Sequence, residues 1–96
     1  MGISRFLRER RDDILRIAAK HGVYSIRIFG SAARGEEAID SDLDFLVTVG
    51  PNPSPWFPAG LVVELEELLG RKVDVVTEDS VYWLLRRRIL KEAVPL

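Results

Sequence analysis

Two carboxylates one residue apart, Asp42 and Asp44, follow eleven residues after a glycine-serine pair, Gly30-Ser31. Successive side chains of a β-strand point to opposite faces. A strand over Asp42-Leu43-Asp44-Phe45-Leu46-Val47 therefore carries both acids on one side and Leu43, Phe45 and Val47 on the other. Carboxylates held side by side repel unless a cation neutralises them, and magnesium takes such oxygen ligands together with waters and substrate phosphates. The spacing points to a nucleoside triphosphate held by a divalent metal. Taken alone, Asp-x-Asp reads first as a polar strand start or an Asx turn after Asp40-Ser41.

The upstream segment shifts that balance. Ser25-Ile26-Arg27-Ile28-Phe29 alternates as a strand and ends at Gly30-Ser31, after which Ala32-Ala33-Arg34 starts a short helix. A strand entering a glycine turn and a helix start presents backbone N–H groups suited to phosphate oxygens. Gly30 allows close approach, Ser31 adds a hydroxyl donor and Arg34 a positive charge. By themselves these residues fit an ordinary N-cap at Ser31 with a solvated Arg34; joined to the acids they fit a phosphate site better. A third acid, Asp74, sits in the valine-rich strand Arg71-Lys72-Val73-Asp74-Val75-Val76-Thr77. An unpaired carboxylate among valines is costly, so Asp74 either marks an exposed strand end or faces the same cluster.

The combined pattern, Gly-Ser-x-x-Arg-Gly-Glu, then Ser-Asp-Leu-Asp, then a lone Asp on a later strand, resembles the minimal nucleotidyltransferases of the DNA polymerase β-like superfamily. The resemblance spans nearly the whole chain, and Gly30, Ser31, Arg34, Asp42, Asp44 and Asp74 all match the signature. It implies two magnesium ions held by Asp42 and Asp44, and Asp74 as the third ligand that positions and deprotonates an attacking hydroxyl. Gly30, Ser31 and Arg34 would hold the triphosphate of ATP. The physical rationale is a two-metal arrangement that stabilises the entering and departing oxygens at the α-phosphorus, with pyrophosphate leaving.

Members of this family are commonly antitoxins paired with a HEPN-type ribonuclease toxin. The resemblance therefore implies transfer of AMP to a tyrosine hydroxyl of such a toxin, in a hetero-oligomer with it. Larger nucleotidyltransferases add a second domain that grips the acceptor, for which 96 residues leave no room. That favours a protein acceptor with its own docking surface. Two alternatives stand beside this expectation: an antitoxin that masks the toxin by binding alone, and transfer to a small-molecule alcohol. Three converging acids favour catalysis over masking.

Composition agrees with one small domain over residues 1–96, limited in size to one sheet with helices on it. Hydrophobic residues at 47% with 30% charged describe a globular chain. A net charge of −1 lacks the basic footprint of broad nucleic-acid binding. The absence of cysteine fits a reducing cytoplasm. Charges from Arg5 onward exclude a signal-peptide core, no apolar run reaches membrane-spanning length, and no membrane partner is expected.

Apolar spacing predicts one amphipathic helix over residues 3 to 21, stopped by Gly22. Residues 50 to 58 hold four of the five prolines and read as a loop. Leu61, Leu65, Leu68 and Leu69 mark a helix ended by Gly70. Val81, Leu84, Leu85 and Ile89 mark a last helix capped by Asp79-Ser80. The expected order is α-β-(short α)-β-α-β-α, an α/β fold with a small mixed sheet: the second strand antiparallel to the first and parallel to the third.

Other residues take quieter roles. His21 before Gly22 suits the C-terminal dipole of its helix. Arg86-Arg87-Arg88 with Lys91 reads first as a solvated helix face and second as a docking patch for an acidic partner. Tyr82 and Trp83 border the core or an interface. Trp56 and Phe57, in the proline-rich loop, either flank the adenine, touch the toxin or pin the loop to the surface. Glu64, Glu66 and Glu67 read as the wet side of a helix, and Glu36 and Glu37 carry no metal role.

Overall fold

Hydrophobic alternation along the strands and three- to four-residue spacing along the helices generate a four-stranded mixed sheet with flanking helices. The computed structural model describes residues 5–36, 42–80 and 83–96, and the side chains of Ser80, Trp83 and Leu84 fall outside that description. Helices α1 (Arg5–Glu9) and α2 (Arg11–Lys20) lead into β1 (Val23–Phe29) and a 3-10 turn, Gly30–Ala32. Strand β2 (Leu43–Val49), helix α3 (Ala59–Leu69) and strand β3 (Val73–Thr77) follow. A second 3-10 turn (Glu78–Ser80), helix α4 (Trp83–Glu92) and a short β4 (Val94–Pro95) complete the order.

The sheet runs β3-β2-β1-β4. β2 is antiparallel to β1 and parallel to β3, as the sequence predicts. Leu43, Phe45 and Val47 of β2 are fully buried in one core with Leu7, Ile14, Leu61 and Leu65 of the helices. Burying a side chain of that size contributes about 1.5–3 kcal/mol. Gly70 ends α3 in the left-handed conformation at φ 66°, its N–H donating to the Glu66 carbonyl at 2.8 Å. Among the described residues, no helix is long and apolar enough to cross a membrane.

Four expectations change. The single N-terminal helix is two, because Arg10 leaves helical geometry at φ −106°, ψ 10°. There its guanidinium donates to the Phe6 carbonyl at 3.0 Å and stacks 4.0 Å above the Phe6 ring. The fourth strand is additional; two residues ending in proline carry too little pattern to announce it. Leu85 does not mark a buried face, since it is 49% exposed. Glu64 and Glu66 are not simply wet: Glu66 accepts the Val73 N–H at 3.0 Å, and Glu64 meets His21 and Lys20. The predicted roles of Val81, Tyr82 and the Trp83 and Leu84 side chains lie outside the described residues.

His21 does more than end α2. Only 4% exposed, its imidazole is shared between Ser54 Oγ, at 2.8 Å from Nδ1, and the Glu64 carboxylate at Nε2. It thereby ties the proline-rich loop and α3 to the end of α2. Gly60 permits this, because a Cβ there would come 2.9 Å from the imidazole Cε1. In the same loop Phe57 packs against the core, while Trp56 is 75% exposed.

Candidate active site

The strand register decides which predicted residues meet. Asp44 on β2 is the Cα partner of Asp74 on β3. Neighbouring strands run about 4.8 Å apart, so these carboxylates leave the sheet side by side. Asp42 stands just before β2 and is exposed, as is Asp74, whereas Asp44 is half-buried. Burial first, then the charges of Asp74 and Asp42, push the Asp44 carboxyl above its ordinary value. The two neighbouring carboxylates thus add to an effect that burial begins.

β1 delivers the glycine turn to the same place. Phe29, its last residue, is the antiparallel partner of Asp44, so Gly30 emerges directly beside that acid. Gly30 has φ +75°, and a Cβ on it would lie 2.6 Å from Asp44 Oδ2. A residue without a side chain lets the backbone turn against the carboxylate there without strain and without displacing it. Ser31 lies inside the 3-10 turn and is not its N-cap; Phe29 holds that position, with no side-chain cap. Ala32 and Ala33 are buried, and Gly35 and Glu36 donate back to Ala32 and Ser31 at 3.2 and 2.9 Å. These bonds close the turn. Predicted residues 37 to 41, including Glu37, Asp40 and Ser41, lie outside the described residues.

Arg34 is exposed at the edge of this turn. Its Nε donates to Glu36 Oε1 at 2.9 Å and its Nη1 to the Glu92 carboxylate of α4. The Glu36 bond is the main influence holding the guanidinium charged, with Glu92 adding to it. Glu92 is the site-edge residue that sequence reasoning misses: it stands 58 residues from Arg34, and no local pattern links them.

The donor set is all hard oxygen, which suits magnesium. Among the described residues no three His, Cys, Asp or Glu side chains form a ready-made metal cage. Magnesium takes one or two carboxylates and completes its shell with water and substrate phosphates. Asp42, Asp44 and Asp74 are the residues that would hold it. Beyond the acids on the same sheet face, Arg27 pairs with Glu78, which also accepts from Thr48 Oγ1 at 3.3 Å. This polar lining fixes the end of β3 against the two central strands.

The nucleotidyltransferase domain family matches residues 7–96 of the chain. A Methanocaldococcus jannaschii protein assigned as a protein adenylyltransferase is 47% identical over 88 residues, covering 92% of this chain and 95% of that one. A solved minimal nucleotidyltransferase superposes with a TM-score of 0.86 at 44% identity, covering 100% of this chain and 97% of the other. A toxin–antitoxin complex crystallised with AMP-PNP shares the fold at a TM-score of 0.74 and 21% identity, over 88% of this chain and 70% of the other. Pattern, fold and relatives agree: the chain belongs to the nucleotidyltransferase domain family.

Proposed function

We propose that this protein transfers AMP from ATP to a tyrosine hydroxyl of a HEPN-type toxin, and so neutralises it as an antitoxin. The observation that carries the reading is the register of Asp44 beside Asp74, with Gly30 turned against the Asp44 carboxylate. A relative assigned as a protein adenylyltransferase supports the reaction class, and a toxin–antitoxin complex of the same fold holding an ATP analogue supports the nucleotide and the partner.

In this reading Gly30 and Ser31 bring backbone and hydroxyl donors to the triphosphate, and Arg34 lends its charge from the turn's edge. Asp42 and Asp44 would hold magnesium, which would supply Lewis-acid neutralisation of charge at the phosphoryl group. Asp74 orients the acceptor hydroxyl and takes its proton. The hydroxyl oxygen bonds to the α-phosphorus as the bond to pyrophosphate breaks, leaving AMP on the acceptor.

Incubation with magnesium, labelled ATP and the product of the neighbouring gene tests the proposal. Label is expected on a toxin tyrosine and is expected to vanish with Asp42→Asn/Asp44→Asn. A stable complex in which the toxin keeps its original mass would overturn transfer in favour of masking.

A further inference from the structure

Strand β3 is entered through two cations, and strand alternation sends them to opposite faces of the sheet. Arg71 lies on the helix side, its guanidinium 6.0 Å from the centre of the Phe6 ring of α1. Lys72, the next residue, therefore stands on the acid side, two residues ahead of Asp74 and about 6.6 Å from it by strand rise. The ladder reaches this far, because the Leu43 N–H donates to the Lys72 carbonyl at 2.9 Å. That register sets Lys72 alongside Asp42, as Asp74 stands alongside Asp44.

Lys72 is exposed, and among the described residues its ammonium has no hydrogen-bond or ion-pair partner. The Asp44 carboxyl answers to burial and to Asp74 and Asp42, so Lys72 does not serve to neutralise it. A lysine at the head of an edge strand discourages chance strand pairing, but that role needs no place beside the acids.

Strand order decides which part of the reaction Lys72 borders. The sheet runs β3-β2-β1, so the glycine turn at the end of β1 and the Lys72–Asp74 segment of β3 flank Asp44 from opposite sides. An in-line displacement places the attacking and departing oxygens on opposite sides of the phosphorus. With the triphosphate on the glycine turn, pyrophosphate leaves on the β1 side and the acceptor hydroxyl approaches on the β3 side. β3 is an edge strand, with no strand outside it among the described residues, so a protein acceptor reaches Lys72 without displacing part of the sheet.

We propose that Lys72 is the acceptor-side cation of the site, its ammonium donating a hydrogen bond to the oxygen that attacks phosphorus. This rests on the transfer reading and adds a residue to it. As the acceptor O–H bond breaks and its proton passes to Asp74, negative charge gathers on the oxygen. The ammonium keeps all its protons and stabilises that charge while the oxygen–phosphorus bond forms and the bond to pyrophosphate breaks.

Steady-state transfer from labelled ATP to the product of the neighbouring gene, in magnesium, is compared for the wild type, Lys72→Gln and Lys72→Arg. Lys72→Gln should lower kcat/KM for the acceptor about tenfold or more, with the KM for ATP and the melting temperature unchanged, and Lys72→Arg should recover most of the loss. Fluorotyrosine in the acceptor, whose hydroxyl ionises more easily, should narrow the deficit of Lys72→Gln. Acceptor kcat/KM within twofold of wild type in Lys72→Gln overturns the proposal, as does an equal deficit for tyrosine and fluorotyrosine. So does a raised KM for ATP with acceptor kinetics unchanged, which would put Lys72 on the phosphates. Those three outcomes leave transfer standing and remove Lys72 alone, whereas no transfer by the wild type overturns the transfer reading and this role together.

Discussion

Asp44 and Asp74 are register partners across the parallel pairing of β2 with β3, and Asp44 is the more buried of the two. The parallel pairing follows from the crossover through α3, whose leucines bury it against the strands. The packing of an apolar helix thus sets the distance between two acids on the opposite face. Burial of Asp44 first, and then the nearby Asp74 charge, raise the Asp44 carboxyl.

Asp44→Asn is expected to lower the proposed transfer at least about a hundredfold, since it removes the most enclosed of the three acids. Magnesium is expected to raise the melting temperature of the wild type and not of Asp42→Asn/Asp44→Asn. Without metal the sign reverses. A carboxyl whose folded value is raised contributes stability that is complete below its unfolded value, near 3.8, and is lost as pH rises through the folded one. In chelator, Asp44→Asn should therefore melt above the wild type at neutral pH, with the gap closing toward pH 3. An equal gap at both pH values would contradict the raised Asp44 carboxyl.

Gly30→Ala should hurt twice. Alanine at φ +75° costs about 1–2 kcal/mol of backbone strain, and the new Cβ meets Asp44 Oδ2 at 2.6 Å. The carboxylate is the flexible partner and yields, so the fold survives while the acid is displaced. Denaturant melts should show the modest stability loss, and magnesium affinity should fall with it. Gly70, at φ +66° with nothing near its Cβ, is the control: Gly70→Ala should cost stability alone.

The acids and the glycine turn were legible in the sequence because both rest on short-range regularities: strand alternation and the conformational freedom of glycine. What joins them was less so. That Asp44 faces Asp74 and not its neighbour depends on register, which local pattern does not encode. The Arg34–Glu92 pair crosses 58 residues, and the His21–Glu64 pair crosses 43. Arg10 is an ordinary helix former, yet its contacts with Phe6 accompany a break that apolar spacing concealed. Leu85 misled for the opposite reason: it repeats at helical spacing but faces outward.

Arg34 joins the turn to α4 by a fork of two donors, Nε to Glu36 and Nη1 to Glu92. An ammonium has no such planar fork, so Arg34→Lys should resemble Arg34→Ala and not the wild type. Both should raise the KM for ATP by about tenfold with a smaller change in kcat. Hydrogen exchange near Glu92 should also speed up. Rescue by lysine would assign Arg34 a purely Coulombic role.

His21 and Glu64 supply a stability test remote from the acids. The His21 hydrogen bond first, then that of Lys20 at 3.0 Å, hold the Glu64 carboxyl below its ordinary value. A lowered carboxyl contributes stability that is present above its unfolded value, near 4.5, and is lost as pH falls through the folded one. The wild type should therefore outlast Glu64→Gln in thermal melts at pH 7, and the difference should shrink as acid titrates Glu64. His21→Ala should cost about 1–3 kcal/mol, because it also strands Ser54 in the loop. If this clamp only anchors the proline-rich loop to α2 and α3, both variants should keep wild-type nucleotide affinity below their melting temperatures. A loss of ATP binding in His21→Ala, with the fold intact, would instead extend the nucleotide site to the loop that carries Trp56.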